Sequence, residues 1–150
     1  MRSFTSFRFV AASLTLVLAT SAIGLAWIAT PSNPASEALK GAMHQMDESL
    51  KVLGKGVTAE NRAASLEELA KFETAVMTAK AQSPDSAAKV DEKKRPAFVT
   101  DFKKTLVEAM QFALTAEIAI LDGKYKEADT VIRNKLGGMK STGHGKFKTD

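Results

Sequence analysis

The sequence predicts an all-α protein: an antiparallel up-down-up-down four-helix bundle preceded by an N-terminal signal peptide. Three observations carry that prediction. The chain is rich in Ala, Lys, Glu and Leu, strong helix formers, with only 4 Pro and 7% aromatic residues. Apolar residues recur at spacings of 3 and 4 in four stretches after residue 36. No stretch alternates with the period of two that a strand needs, and no internal repeat is present. At 150 residues the length suits one domain.

The first segment, 1–30, reads as an export signal. Arg2 and Arg8 form a basic start, and Phe9 to Thr30 is uncharged and mostly apolar. Pro31, Asn33 and Pro34 then break any helix. This is the three-part layout of a secretory signal peptide. Small residues allow cleavage after Ala22 or after Ala26. An uncleaved anchor is the rival, because about 20 apolar residues span a bilayer. The Ser, Thr and small residues of the run favour cleavage, hence release into the periplasm with no membrane attachment. Residues 31–36 read as a short linker and 37–148 as the bundle.

The first helix takes Ser36 as its N-cap. Its inward stripe is Leu39, Met43, Met46, Leu50 and Leu53, with steps of 4, 3, 4 and 3, and Gly54 and Gly56 end it. Thr58 is the cap expected for the second helix. Its stripe is Leu66, Leu69, Phe72 or Glu73, and Val76, fading near Ala81. Gln82 to Arg95 holds Ser83-Pro84-Asp85 and a cluster of charges, and reads as the longest loop, about 13 residues. Pro96 suits the first turn of the third helix. Its stripe is Phe98, Phe102, Leu106, Met110, Ala113 or Leu114, and Ile118 to Leu121, before Asp122-Gly123 stops it. The fourth helix starts near Lys124, with Tyr125, Ala128, Ile132, Leu136 and Met139 inward. Short to medium connections between long helices make sequence neighbours antiparallel.

Composition excludes several functions. With no Cys there is no disulfide framework, no thiol catalyst, no Cys-ligated metal and no haem attached through thioether bonds. Two His are too few for most His-based metal clusters. The net charge of +4 includes Arg2 and Arg8, and the remaining +2 gives no case for nucleic acid or an anionic membrane. Glu67, Glu68 and Glu108 have no His three residues on, so the di-iron pattern is missing. Nor is there a phosphate-binding Gly loop or a His-Glu-x-x-His pattern. The sequence presents no enzyme.

Met43 and His144 remain. In an up-down-up-down bundle the start of helix 1 and the end of helix 4 share one end, with Phe98 and Phe102 beside them. Met43 lies on the inward stripe and His144 in or just after the last turn. Thioether plus imidazole is an axial pair for haem iron. Taken singly, a Met on a stripe is ordinary core packing, and a His near a C-terminus ordinarily faces solvent or favours the helix dipole. Met46, one turn inward, is the rival thioether, and His44 falls off the stripe toward solvent. Gly137, Gly138, Gly143 and Gly145 read either as a frayed tail or as backbone left bare for a flat cofactor. Lys140, Lys146 and Lys148 are candidates to pair with propionates.

These residues resemble the cytochrome b562 family over roughly 37–148. The resemblance rests on Leu39, Met43 and Leu50-Lys51-Val52-Leu53, on Asp101-Phe102, on Gly123-Lys124-Tyr125-Lys126-Glu127-Ala128, and on Leu136 followed eight residues later by His144 and Lys146-Phe147-Lys148. It implies a periplasmic bundle binding one non-covalent haem b, with Met43 and His144 as axial ligands and Phe102 packing on the ring. The family's next aromatic is Leu106 here, and an Arg found in some members four residues before the His is Lys140. Helix 2 matches poorly, and helix 4 carries about one extra residue before Leu136. The implied role is electron transfer to an unidentified periplasmic redox partner, by a monomer. Two rivals stand beside it: a haem-free periplasmic binding or stress-response bundle, and a copper protein using Met43, His44 and Met46.

Overall fold

The computed structural model describes residues 33–147, so the expected signal peptide over 1–30 and Lys148 lie outside the described residues. Among the described residues the chain forms four helical rods and no strand. The first, α1, spans Pro34–Leu53. Its cap is Asn33, not Ser36: the Asn33 side chain accepts the Ala35 amide at 3.2 Å. Pro34 sits in the first turn, where a missing N–H costs nothing. The helix therefore starts inside the predicted linker. Ser36 turns outward and donates to Asp85 Oδ2 at 2.6 Å. α1 buries Leu39, Ala42, Met46, Ser49 and Leu53, with Met43 and Leu50 half-buried beside them.

The second helix, α2, spans Arg62–Lys80, starting four residues after the predicted cap. Thr58 lies in the preceding turn, which Asn61 organises. Asn61 Oδ1 accepts the Thr58 amide at 2.8 Å and the Ser65 hydroxyl at 3.2 Å, and its Nδ2 donates to the Gly56 carbonyl at 2.8 Å. Between the two candidates at the centre of α2, Phe72 is buried and Glu73 lies on the flank.

The predicted long loop is not featureless. Asp85–Lys89 forms a 3-10 turn with Ser86 and Ala87 buried. Ser86 Oγ donates to the Phe147 carbonyl at 2.6 Å, and Arg95 Nε donates to the Ala87 carbonyl at 2.9 Å. Side-chain hydroxyls and one guanidinium hold this turn, so it has no periodicity to read.

The third helix, α3, spans Arg95–Leu121 and buries Phe102, Leu106, Ala109, Ala113, Ala116, Ala119 and Ile120. Here the expectation needs correcting. Ala113 faces the core and Leu114 does not, and Ile118 and Leu121 are exposed. α3 is apolar around much of its circumference, so spacing alone left two possible faces, and alanines line the inner one. Its stop is as predicted. Gly123 adopts φ 75°, the Lys124 amide donates to Ala119 at 2.8 Å, and the Gly123 amide to Ile120 at 3.0 Å. This is a Schellman closure, which favours glycine at its left-handed position.

The last rod is continuous but not uniform. α4, Tyr125–Thr130, passes into a π-helical turn, Val131–Leu136, and then α5, Gly137–Phe147. A π turn takes up one residue more than an α turn and rotates everything after it. Ala128, Ile132 and Leu136 are buried, so the core stripe holds through the π turn.

Candidate functional site

One end of the bundle gathers four parts of the chain. Ser36–Asp85 ties the start of α1 to the 3-10 turn, and Ser86–Phe147 ties that turn to the end of α5. Lys146 Nζ meets Asp101 Oδ2 at 2.9 Å, tying α5 to α3. The Phe147 ring packs edge-on against both Phe98 and Phe102, with centroids 5.3 Å apart in each case. Phe147 follows His144 by three residues and so shares its helix face. That spacing was a usable signal for a site residue the sequence reading left aside.

Beneath these contacts lies a cavity of about 490 Å³. That is within the roughly 300–1,000 Å³ usual for small-molecule sites. All five predicted site residues line it: Met43, His144, Phe102, Leu106 and Lys140. Leu39, Leu50, Phe72 and Leu136 complete an apolar wall, and Pro84 to Ser86 form its edge. Three Phe rings, aliphatic side chains and three Met thioethers make a lining with little affinity for water. Met43 is half-buried, and His144 lies at an exposed position on α5. A thioether and an imidazole thus reach one cavity from separate helices.

The lining also holds residues that were set lower. Met46 lines the cavity but is buried in the core, whereas Met43 stands nearer the mouth. His44 is exposed, as expected, and still borders the same space. A bordering residue one position from a stripe is invisible to a spacing argument, because the cavity is wider than one side chain. Gly143 lines the cavity, and a Cβ built there meets nothing within 4 Å. The same holds for Gly138 and Gly145. These glycines sit in regular helix and not in a frayed tail.

Charge is arranged at the rim. Lys40 and Lys140 border the mouth, as do Asp47 and Asp85. Lys140 Nζ pairs with Asp47 Oδ1, joining α5 to α1 about one turn inward from His144 and Met43. Asp47 also meets Lys51 Nζ at 3.2 Å. The Lys140 ammonium holds the Asp47 carboxyl below the usual carboxylate range, against partial burial that pushes it up. Lys146 does the same for Asp101.

The set fits a flat, largely apolar, anionic-edged ligand with a metal at its centre. It offers a thioether and an imidazole donor from separate helices, apolar walls, aromatic edges and ammonium groups at the mouth. No group of three or more His, Asp or Glu among the described residues could hold a bare metal ion. No helix among them is long and apolar enough to cross a membrane. The family model described as cytochrome b562 matches residues 38–148. No curated protein matches the chain.

Proposed function

The chain belongs to the cytochrome b562 family, haem-binding electron-transfer bundles, and on that premise we propose that it is a periplasmic electron carrier holding one haem b between Met43 and His144. The observation that carries the proposal is the thioether of α1 and the imidazole of α5 lining one apolar cavity. The shared end of α1, α3 and α5 agrees with an antiparallel up-down-up-down path, and the N-terminal layout with export.

When bound, haem supplies reversible one-electron Fe(III)/Fe(II) chemistry. The protein's part is to bind, orient and exclude water. Met43 and His144 would hold the iron, and with both bound no site would be left open for oxygen, so the assignment is an electron carrier and not an enzyme. A thioether ligand and a low-dielectric wall both favour the ferrous state, so the potential is expected to be relatively positive. Phe102, Leu106 and Phe147, which line the cavity, would keep water from the cofactor. Lys140 and Lys40, which border the mouth and pair there with Asp47 and Glu37, would be the cations available to its propionates. The absence of any Cys makes the cofactor non-covalent, b-type. The open mouth between α1 and α5 is the face a redox partner would approach.

The test is haemin reconstitution of the wild type, Met43→Ala and His144→Ala. The wild type should give a six-coordinate low-spin spectrum and each variant a five-coordinate one. An unchanged spectrum in both variants would sink the ligand assignment, and Met46→Leu reports whether the rival thioether is used. A protein that shows no Soret band after expression with ample haem is instead a haem-free bundle.

A further inference from the structure

Among the described residues, six large apolar side chains are exposed, and four of them share one helix. Val107 is 43% exposed, Leu114 42%, Ile118 60% and Leu121 53%. With Gln111, also exposed, they sit at steps of 4, 3, 4 and 3 along α3. That is a heptad seam, the pattern by which one helix buries itself against another. It lies away from the core face of Phe102, Leu106, Ala109 and Ala113, so α3 is apolar on two sides. A helix apolar on two sides has two partners, and the bundle supplies only one. The other two exposed side chains, Val52 and Met77, stand singly on α1 and α2 and need no explanation.

We propose that this outer face of α3 is the interface of a homodimer, in which α3 packs antiparallel against α3 of a second copy about a two-fold axis at Leu114. Val107 and Leu121 lie seven residues to either side of Leu114, so about an axis there Val107 meets Leu121 of the second copy and Leu114 meets itself, while Gln111 and Ile118, three and four residues away, interdigitate. Charge selects the direction. Lys103 and Lys104 flank the early part of the seam, and Glu117 and Asp122 the late part, where Asp122 also pairs with the exposed Lys124 at 2.9 Å. Antiparallel packing brings Lys104 within reach of Asp122 of the second copy, twice by symmetry. Parallel packing would set Lys104 beside Lys104 and Asp122 beside Asp122. Leu114 to Leu121 run toward the Gly123 turn, away from the cavity, so the mouth stays open in the dimer. This inference does not depend on the haem reading, and it replaces the expectation of a monomer.

One helix pair buries an area at the low end of specific interfaces, so association is expected to be weak and concentration-dependent, at about 10–100 µM. The experiment is analytical ultracentrifugation of the purified protein from about 10 µM to 1 mM, beside Ile118→Lys. A dimer is expected in the wild type, and a monomer in Ile118→Lys with unchanged circular dichroism and, at concentrations too low for the wild type to associate, an unchanged thermal midpoint. Cysteine variants then read the geometry, because the chain has no thiol of its own. With diamide as oxidant, Leu114→Cys should cross-link to itself. Val107→Cys should cross-link only when mixed with Leu121→Cys. A wild type monomeric throughout, including one that binds lipid vesicles instead, overturns the proposal. So does a dimer that survives Ile118→Lys, or a Val107→Cys chain that cross-links with itself.

Discussion

At the end formed by the Gly54–Asn61 segment and the Asp122–Lys124 turn, the chain closes on itself locally. At the cavity end it is tied by contacts between residues far apart in sequence. The local end uses the left-handed Gly123, the left-handed Gly56 beside Asp129 and Arg133, and Asn61. Below it lie Leu53, Leu69, Ile120 and Ile132, all essentially without solvent contact. The cavity end is joined by Ser36–Asp85, Ser86–Phe147, Lys146–Asp101 and Lys140–Asp47, around space the side chains do not fill. One end holds the fold without help, and the other is built for something to be inserted. The division explains how a small bundle tolerates a cavity: apolar burial at the far end carries the stability.

The largest test of this contrast compares one truncation at each end. Ile120→Ala should cost about 2–5 kcal/mol, since the site is tightly packed. Leu106→Ala in the haem-free protein should cost clearly less, because that side chain already faces the cavity on one side. Urea unfolding of both variants decides it, and equal costs would erase the distinction. Gly123→Ala comes next, at about 1–2 kcal/mol, because φ 75° forces a Cβ into the left-handed region.

Acid should separate the ends as well. Asp47 and Asp101 titrate below the ordinary carboxylate range, held there by Lys140 and Lys146. A depressed carboxyl contributes stability that is present above its unfolded value and lost as pH falls through the folded one. The protection factor of the Phe147 amide, exchange corrected for its intrinsic pH dependence, should therefore fall on acidification below about pH 4, before that of Lys124 does. The smallest effect is at Glu73. Burial, and then Glu117, push its carboxyl up, and its Oε1 has no hydrogen-bond partner. A raised carboxyl destabilises the fold once ionised, so Glu73→Gln should raise the melting midpoint slightly at neutral pH and not at acid pH.

The helices were legible where one apolar stripe met a clear stop. α1 up to Leu53 and the Asp122-Gly123 closure are examples. The sequence misled where two signals competed. Ser36 and Asn33 both make caps, and Pro34 decided for the earlier one. On α3, Leu114, Ile118 and Leu121 fit a helical period as well as the buried alanines do, since spacing reports periodicity and not which face is inward. The 3-10 turn was invisible because hydrogen bonds to distant residues hold it. Met43 and His144 could be brought together from topology alone. The Asp47–Lys140 pair could not, because neither residue carries a pattern that names its partner across 93 positions.

Haemin added stepwise to the purified protein, followed by visible absorption in both oxidation states, reads whether the cavity end takes a single haem. Saturation is expected at one haem per chain, with a six-coordinate low-spin spectrum before and after reduction. A flat titration, or a spectrum that keeps changing past one equivalent with no low-spin form, would contradict it.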